Sequence, residues 1–141
     1  MSSFRKDAST AAQPAIRLEG LELTLGSQAG QVNILKGIDF SVAAGETVSI
    51  VGPSGSGKTS MLMLIAGLER ATAGSVHVVG NELGGMSEDE LALMRRDHIG
   101  IVFQSFQLIP TMTALENVAV PLELSRRSDA FARARESLEA V

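Results

Sequence analysis

The stretch Thr47 to Gly67, TVSIVGPSGSGKTSMLMLIAG, decides how the rest of the chain is read. It divides into an apolar run, a glycine loop and a second apolar run, which is the order strand, loop, helix. Gly52, Gly57, Lys58 and Thr59 occupy every fixed position of the G-x-x-x-x-G-K-[ST] phosphate-loop pattern, with Pro53, Ser54, Gly55 and Ser56 between them. A polyphosphate needs several donors converging on one concave site, and main-chain N–H groups converge only where side chains leave room. Gly52, Gly55 and Gly57 leave that room. A helix starting near Lys58 aims its free N–H groups at the same anion. In this pattern Lys58 reaches the β and γ phosphates, the Thr59 hydroxyl stands where Mg²⁺ binds, and Ser60 is placed to donate to the α phosphate. Val48, Ile50 and Val51 predict a strand covered on both faces, and Met61 to Ala66, apolar all round, predict a helix buried on every side and ended by Gly67.

The surrounding composition is that of an ordinary globular domain: 141 residues, 45% hydrophobic and 20% charged. A net charge of −4 argues against nucleic acid as a partner, and the basic pairs Arg95-Arg96 and Arg126-Arg127 are too small for a phosphate-tracking stripe. With no cysteine, disulfides and thiolate metal sites are excluded. The apolar runs are too short to span a bilayer, and the first residues lack the hydrophobic core of a signal peptide.

Met1 to Pro14 reads as a disordered tail, leaving residues 15–141 as the domain. Ala15 to Leu25 alternates as a strand, with a shift of register at Gly20, and Gly26 to Gly30 reads as a loop. A second strand follows with Ile38, Phe40 and Val42 inward, before a turn at Ala44-Gly45-Glu46. Ser75 to Val79 predicts a short strand with His77 as a solvated surface residue rather than a metal ligand. Ser87 with Glu90, and Thr113 with Glu116, have capping-box spacing; the first predicts a helix through Arg95. Ile99 to Phe103 predicts a strand with Gln104 at its end, where α/β folds present residues to ligands. Pro121 reads as a residue of a first helical turn, and Ser128 to Val141 as helix.

With these residues in view, the chain resembles the N-terminal part of an ABC-transporter ATP-binding subunit, within the branch serving lipoprotein release and macrolide export. The loop GPSGSGKT (Gly52 to Thr59), the segment LMLIAGLERATAGSV (Leu62 to Val76) and above all IGIVFQSFQLIPTMTALENVAVPL (Ile99 to Leu122) carry the resemblance. It implies an α/β fold: a P-loop NTPase core with an N-terminal antiparallel β layer and the start of a helical subdomain. It implies ATP and Mg²⁺ as cofactors, with Gln104 as the glutamine that reaches Mg²⁺ and the attacking water. An uncharged amide suits that task, since it can contact a metal and release it without stranding a buried charge.

The partners implied are a transmembrane permease subunit, met by the surface of Phe106, Leu108, Ile109 and Pro110, and a second ATP-binding subunit in a dimer. Core packing is the rival explanation for Leu108 and Ile109. The expected location is peripheral, on the cytoplasmic face of the inner membrane. Two departures stand out. The chain has no Tyr or Trp, and no Phe lies between Phe4 and Phe40 to stack on adenine, so aliphatic contact from Leu25 or Val32 is the substitute. The family's LSGGQ signature, Asp-Glu pair and switch histidine follow the glutamine segment, and none follows Gln104 here. Leu83-Gly84-Gly85-Met86 precedes Gln104 and reads as a turn, and His98 also comes too early. The resemblance therefore implies a chain cut within the helical subdomain, binding nucleotide but deficient in hydrolysis and marginal in stability. Other readings are a regulatory nucleotide-binding subunit of a membrane complex and a soluble P-loop enzyme; the absence of an Asn-Lys-x-Asp motif weakens a GTPase.

Overall fold

The structure, a computed structural model, describes residues 13–27 and 30–141. Most of the expected tail and the middle of the Gly26 to Gly30 loop lie outside the described residues. The chain falls into two compact units that meet in sequence between Ile99 and Gly100.

The first unit is built on a sheet of four antiparallel strands, β1 (Ile16–Ser27), β2 (Gly30–Val42), β3 (Ala73–Val78) and β4 (Asn81–Glu82), in the order β2-β1-β3-β4. β1 lies between β2 and β3, with Ile16 opposite both Val42 and Val78. The alternation in β1 slips at the expected place: the register shifts between Leu18 and Leu21, which keeps Leu18, Leu21 and Leu23 buried on one face. Asp39 holds the slipped backbone by accepting the Gly20 N–H at 2.7 Å. Beside it, Gly74 has φ +80, and a Cβ there would stand 2.5 Å from the Glu19 carbonyl oxygen and meet that of Gly20 as well. Main chain approaches main chain at this point, so only glycine fits.

Helices α1 (Lys58–Ile65) and α2 (Glu88–His98) bury Met61, Leu64, Leu91 and Met94 in the same cluster as Leu18, Leu21, Leu23, Leu35, Val76, Val78 and Leu83. α1 ends as expected, at Gly67 in the left-handed region (φ 63), with Gly67 N–H donating to Leu64 O and Leu68 N–H to Met63 O. α2 starts with a complete capping box at Ser87 and Glu90 and runs beyond Arg95 to His98. The Arg95 guanidinium donates to Gly67 O at 2.6 Å and so ties α2 to the end of α1.

Two strand expectations fail. Thr47 to Val51 and Ile99 to Phe103 form no strand, and Val51 and Val102 are 88% and 101% exposed. A strand exists only through neighbours that take its N–H and C=O groups, and among the described residues neither segment has a ladder partner. Ile50 alone of the first segment leans on the core. For the same reason α1 is not buried on every side: Leu62 is 53% exposed.

The second unit, Gly100–Val141, pairs α3 (Ala114–Leu124) with α4 (Ala130–Glu139). Their buried residues are Ala119, Ala130 and Ala134, small side chains that let helix backbones approach closely. Thr113 and Glu116 form the second complete capping box. Pro121 is in the interior of α3 and not in a first turn, so the helix lacks the bond its N–H would have made. The helix survives because Pro121 comes only one turn before the end, where Ser125 N–H and Oγ both donate to Pro121 O.

Gly74→Ala is expected to destabilise the chain by about 2 kcal/mol or more, from positive φ plus main-chain collision, read as a lower urea midpoint. The caps predict a response to acid. Main-chain N–H donation from Ser87, with its hydroxyl, holds the Glu90 carboxyl below the ordinary 4.5, and Thr113 does the same for Glu116. The unfolded chain therefore takes up these protons first, so the caps stabilise above pH 4.5 and lose their effect as pH falls through the folded values. The urea midpoint should fall below about pH 4.5, and less steeply in a Glu90→Gln, Glu116→Gln double variant.

Candidate phosphate-binding site

Gly57 precedes α1 with φ 86, and the helix has no side-chain cap and no acidic residue in its first turn. The first N–H groups of α1 therefore have no side-chain acceptor from the loop, and they carry the positive end of the helix dipole. The main chain can turn this way because Gly57 lies flat against β2. A Cβ on it would be 2.9 Å from Leu35 Cδ2 and 3.2 Å from Ile34 O. Ile34 and Leu35 were not singled out in the sequence: Leu35 is buried out of step with the alternation of Ile38, Phe40 and Val42, and nothing in the spacing from Gly57 marks either residue.

The loop before Gly57 closes on itself. Ser56 N–H donates to Pro53 O at 3.3 Å, and a Cβ on Gly52 would meet Ser56 Oγ at 2.9 Å. The Lys58 ammonium turns back over the loop, donating to Gly52 O at 3.0 Å, Pro53 O at 2.6 Å and Ser56 Oγ at 3.4 Å. Gly52 to Ser56 and Thr59 are exposed, and Lys58 and Ser60 are half-buried. Gly52, Pro53, Ser56, Gly57 and Lys58 are thus brought together as one cradle, with Ser54 and Gly55 at its exposed bend. The donor set suits a polyphosphate: uncapped amides, the Lys58 cation and the Ser56 hydroxyl beside a space that a side chain at Gly52 would enter.

Gln104 belongs to the second unit, on an exposed irregular segment before Thr113. Phe106 and Leu108 are 90% and 63% exposed, and Ile109 is exposed too, so core packing does not account for Leu108 and Ile109. Near the hairpin end of β1 and β2, Leu25 pairs with Val32, and both are exposed. His77 is half-buried with Nε2 at 3.8 Å from Glu19 Oε2, so it is less solvated than expected. No group of three or more His, Asp and Glu residues among the described residues is placed to hold a metal ion.

An antiparallel β layer beside a phosphate loop that opens a helix defines an ATP-binding cassette. Residues 35–141 match the family model described as ABC transporter, and the chain belongs to that family. It is 42% identical over 122 residues to the uncharacterized ABC transporter ATP-binding protein YbbA of Escherichia coli (strain K12), covering 86% of this chain and 54% of YbbA. It is 45% identical over 128 residues to the lipoprotein-releasing system ATP-binding protein LolD of Geobacter metallireducens, covering 88% and 57%. The solved dimer of the ATP-binding cassette MJ0796 in a post-hydrolysis state, bound to ADP and Pi, superposes with a TM-score of 0.82 at 40% identity, covering 88% of this chain and 56% of that one. The chain spans about half the length of the curated relatives it matches. The resemblance to an ABC-transporter ATP-binding subunit is thereby upheld, as is the α/β cassette fold.

Gly57→Ala is expected to lower stability by about 1–3 kcal/mol, because φ 86 and contact with Ile34 O act together. A urea titration against Gly55→Ala, where nothing lies within 4 Å of the added Cβ, separates the contact from the backbone strain.

Proposed function

We propose that this chain supplies the phosphate-binding part of an ABC transporter ATP-binding subunit that couples ATP binding and hydrolysis to export through a membrane-spanning partner. The observation that carries the proposal is the uncapped start of α1 facing a loop whose charge is concentrated on Lys58. With a nucleotide bound, Lys58 would exchange its carbonyl partners Gly52 and Pro53 for phosphate oxygens, and the main-chain N–H groups from Gly55 to Ser60 would hold the rest of the anion. The Thr59 hydroxyl and the Gln104 amide are the residues that would hold Mg²⁺, with Gln104 also the group that would orient water. Bound MgATP supplies the phosphoanhydride and the charge neutralisation; the chain's own residues bind, orient and shield.

The Leu25 and Val32 pair offers the base an aliphatic surface, which has no ring to stack on and little power to tell adenine from guanine. The exposed Phe106, Leu108, Ile109 and Pro110 form the docking surface for the permease. A second ATP-binding chain completes the site. No described helix is long and apolar enough to cross a membrane, and the proposed location is peripheral, at the cytoplasmic face, through that partner.

By itself the chain is proposed to bind nucleotide and hydrolyse it poorly. The ligands it offers to Mg²⁺ and water are neutral, and no Asp-Glu pair follows Gln104. The test is titration with a fluorescent ATP analogue and Mg²⁺, alongside phosphate release. Lys58→Ala should weaken binding by about 10- to 100-fold, the loss of one charge-assisted contact. Phosphate release should not exceed the Lys58→Ala background. Undiminished affinity in the variant would dismiss the cradle, and Lys58-dependent turnover would dismiss the hydrolytic deficiency.

A further inference from the structure

Asn117 is one turn into α3, and its side chain reaches back over the segment before the helix. Its Oδ1 accepts the Ile109 N–H at 2.7 Å, and its Nδ2 donates toward Ile109 O at 3.2 Å, Met112 O at 3.1 Å and Thr113 O at 2.9 Å. A primary amide has two protons to give, so both are committed to main-chain carbonyls. The pair of bonds to Ile109 satisfies both polar groups of one residue's backbone, as a neighbouring strand would. Between them the chain makes a turn, closed by Met112 N–H donating to Ile109 O at 3.1 Å with Pro110 in the second position.

No other side chain type of this length does all of this. Aspartate lacks the donors and would set a charge against three carbonyls, leucine lacks every polar atom, and glutamine is one methylene too long. What the amide holds in place has no support from burial. Residues 100–114 are all exposed, and Phe106 and Leu108 project apolar side chains into solvent.

We propose that Asn117 is a positioning residue that fastens the exposed apolar turn of residues 106–112, and with it the segment bearing Gln104, to α3. A partner pressing on the turn then moves α3 with it, and a tilt of α3 is felt at the turn. The inference rests on the reading of that turn as a docking surface only for its biological purpose; the fastening itself is a property of this chain alone.

Asn117→Leu in the full 141-residue chain is the test, because leucine favours helix more than asparagine does and so preserves α3 while deleting all four bonds. Hydrogen exchange at the Ile109 N–H should become about tenfold faster, with exchange in the last two turns of α3 unchanged. The chain has no cysteine, so a nitroxide on Leu108→Cys reports the turn alone. Its spectrum should sharpen in the Asn117→Leu background, whereas a nitroxide on Glu123→Cys should not change. Unchanged protection at Ile109, or a loss spread evenly over turn and helix, would overturn the proposal and leave Asn117 as an ordinary helix residue. No partner is present in these measurements, so failure of the docking reading cannot produce either result. That reading fails separately, if Phe106→Ala does not diminish co-purification with a membrane protein.

Discussion

The molecule depends on a contact from which a side chain is missing. Gly57 lies against Ile34 and Leu35 of β2 with no Cβ to hold it off, and its left-handed backbone turns the chain so that α1 begins with its amides uncapped. Met61 and Leu64 then set α1 into the core, which fixes the direction in which those amides point. The Lys58 ammonium is held over the loop by the carbonyls of Gly52 and Pro53. The proposed anion-binding site is therefore built from packing at its rear and main-chain geometry at its front, with one side-chain charge added.

The core that supports this site is one-sided. A single face of the β2-β1-β3-β4 sheet is filled by α1 and α2, through Leu18, Leu21 and Leu23 from the sheet and Leu64, Leu91 and Met94 from the helices. Val51, Leu62 and Val102 have the apolar character of interior residues and stand in solvent. Strain is tolerated where packing enforces it, as at Gly74 beside the slipped backbone of β1. Elsewhere the polar groups are well matched: no buried side-chain nitrogen or oxygen lacks a partner among the described residues.

The second unit follows a different principle. Its two helices meet through alanines, and its long exposed segment is held by hydrogen bonds rather than by burial. One amide, Asn117, substitutes for a hydrophobic contact. A segment fastened in this way keeps apolar side chains free for a partner, which a segment fastened by its own apolar residues could not do.

Local chemistry was legible in the order of residues. The glycine turn before α1, both capping boxes, the slip at Gly20 and the helix end at Gly67 each depend on a few neighbouring groups whose identity dictates the geometry. The family was legible for the same reason, since its most specific segment is a continuous run from Ile99 to Leu122. Tertiary structure decided what depends on distant residues. The apolar runs Thr47 to Val51 and Ile99 to Phe103 have strand composition, but a strand is made by its neighbours, and these runs have none to pair with. Ile34 and Leu35 behind Gly57, Arg95 on Gly67 O, and Asn117 across the turn at Ile109 emerged only from the folded chain. Each joins residues that folding brings together, with no local pattern to announce it.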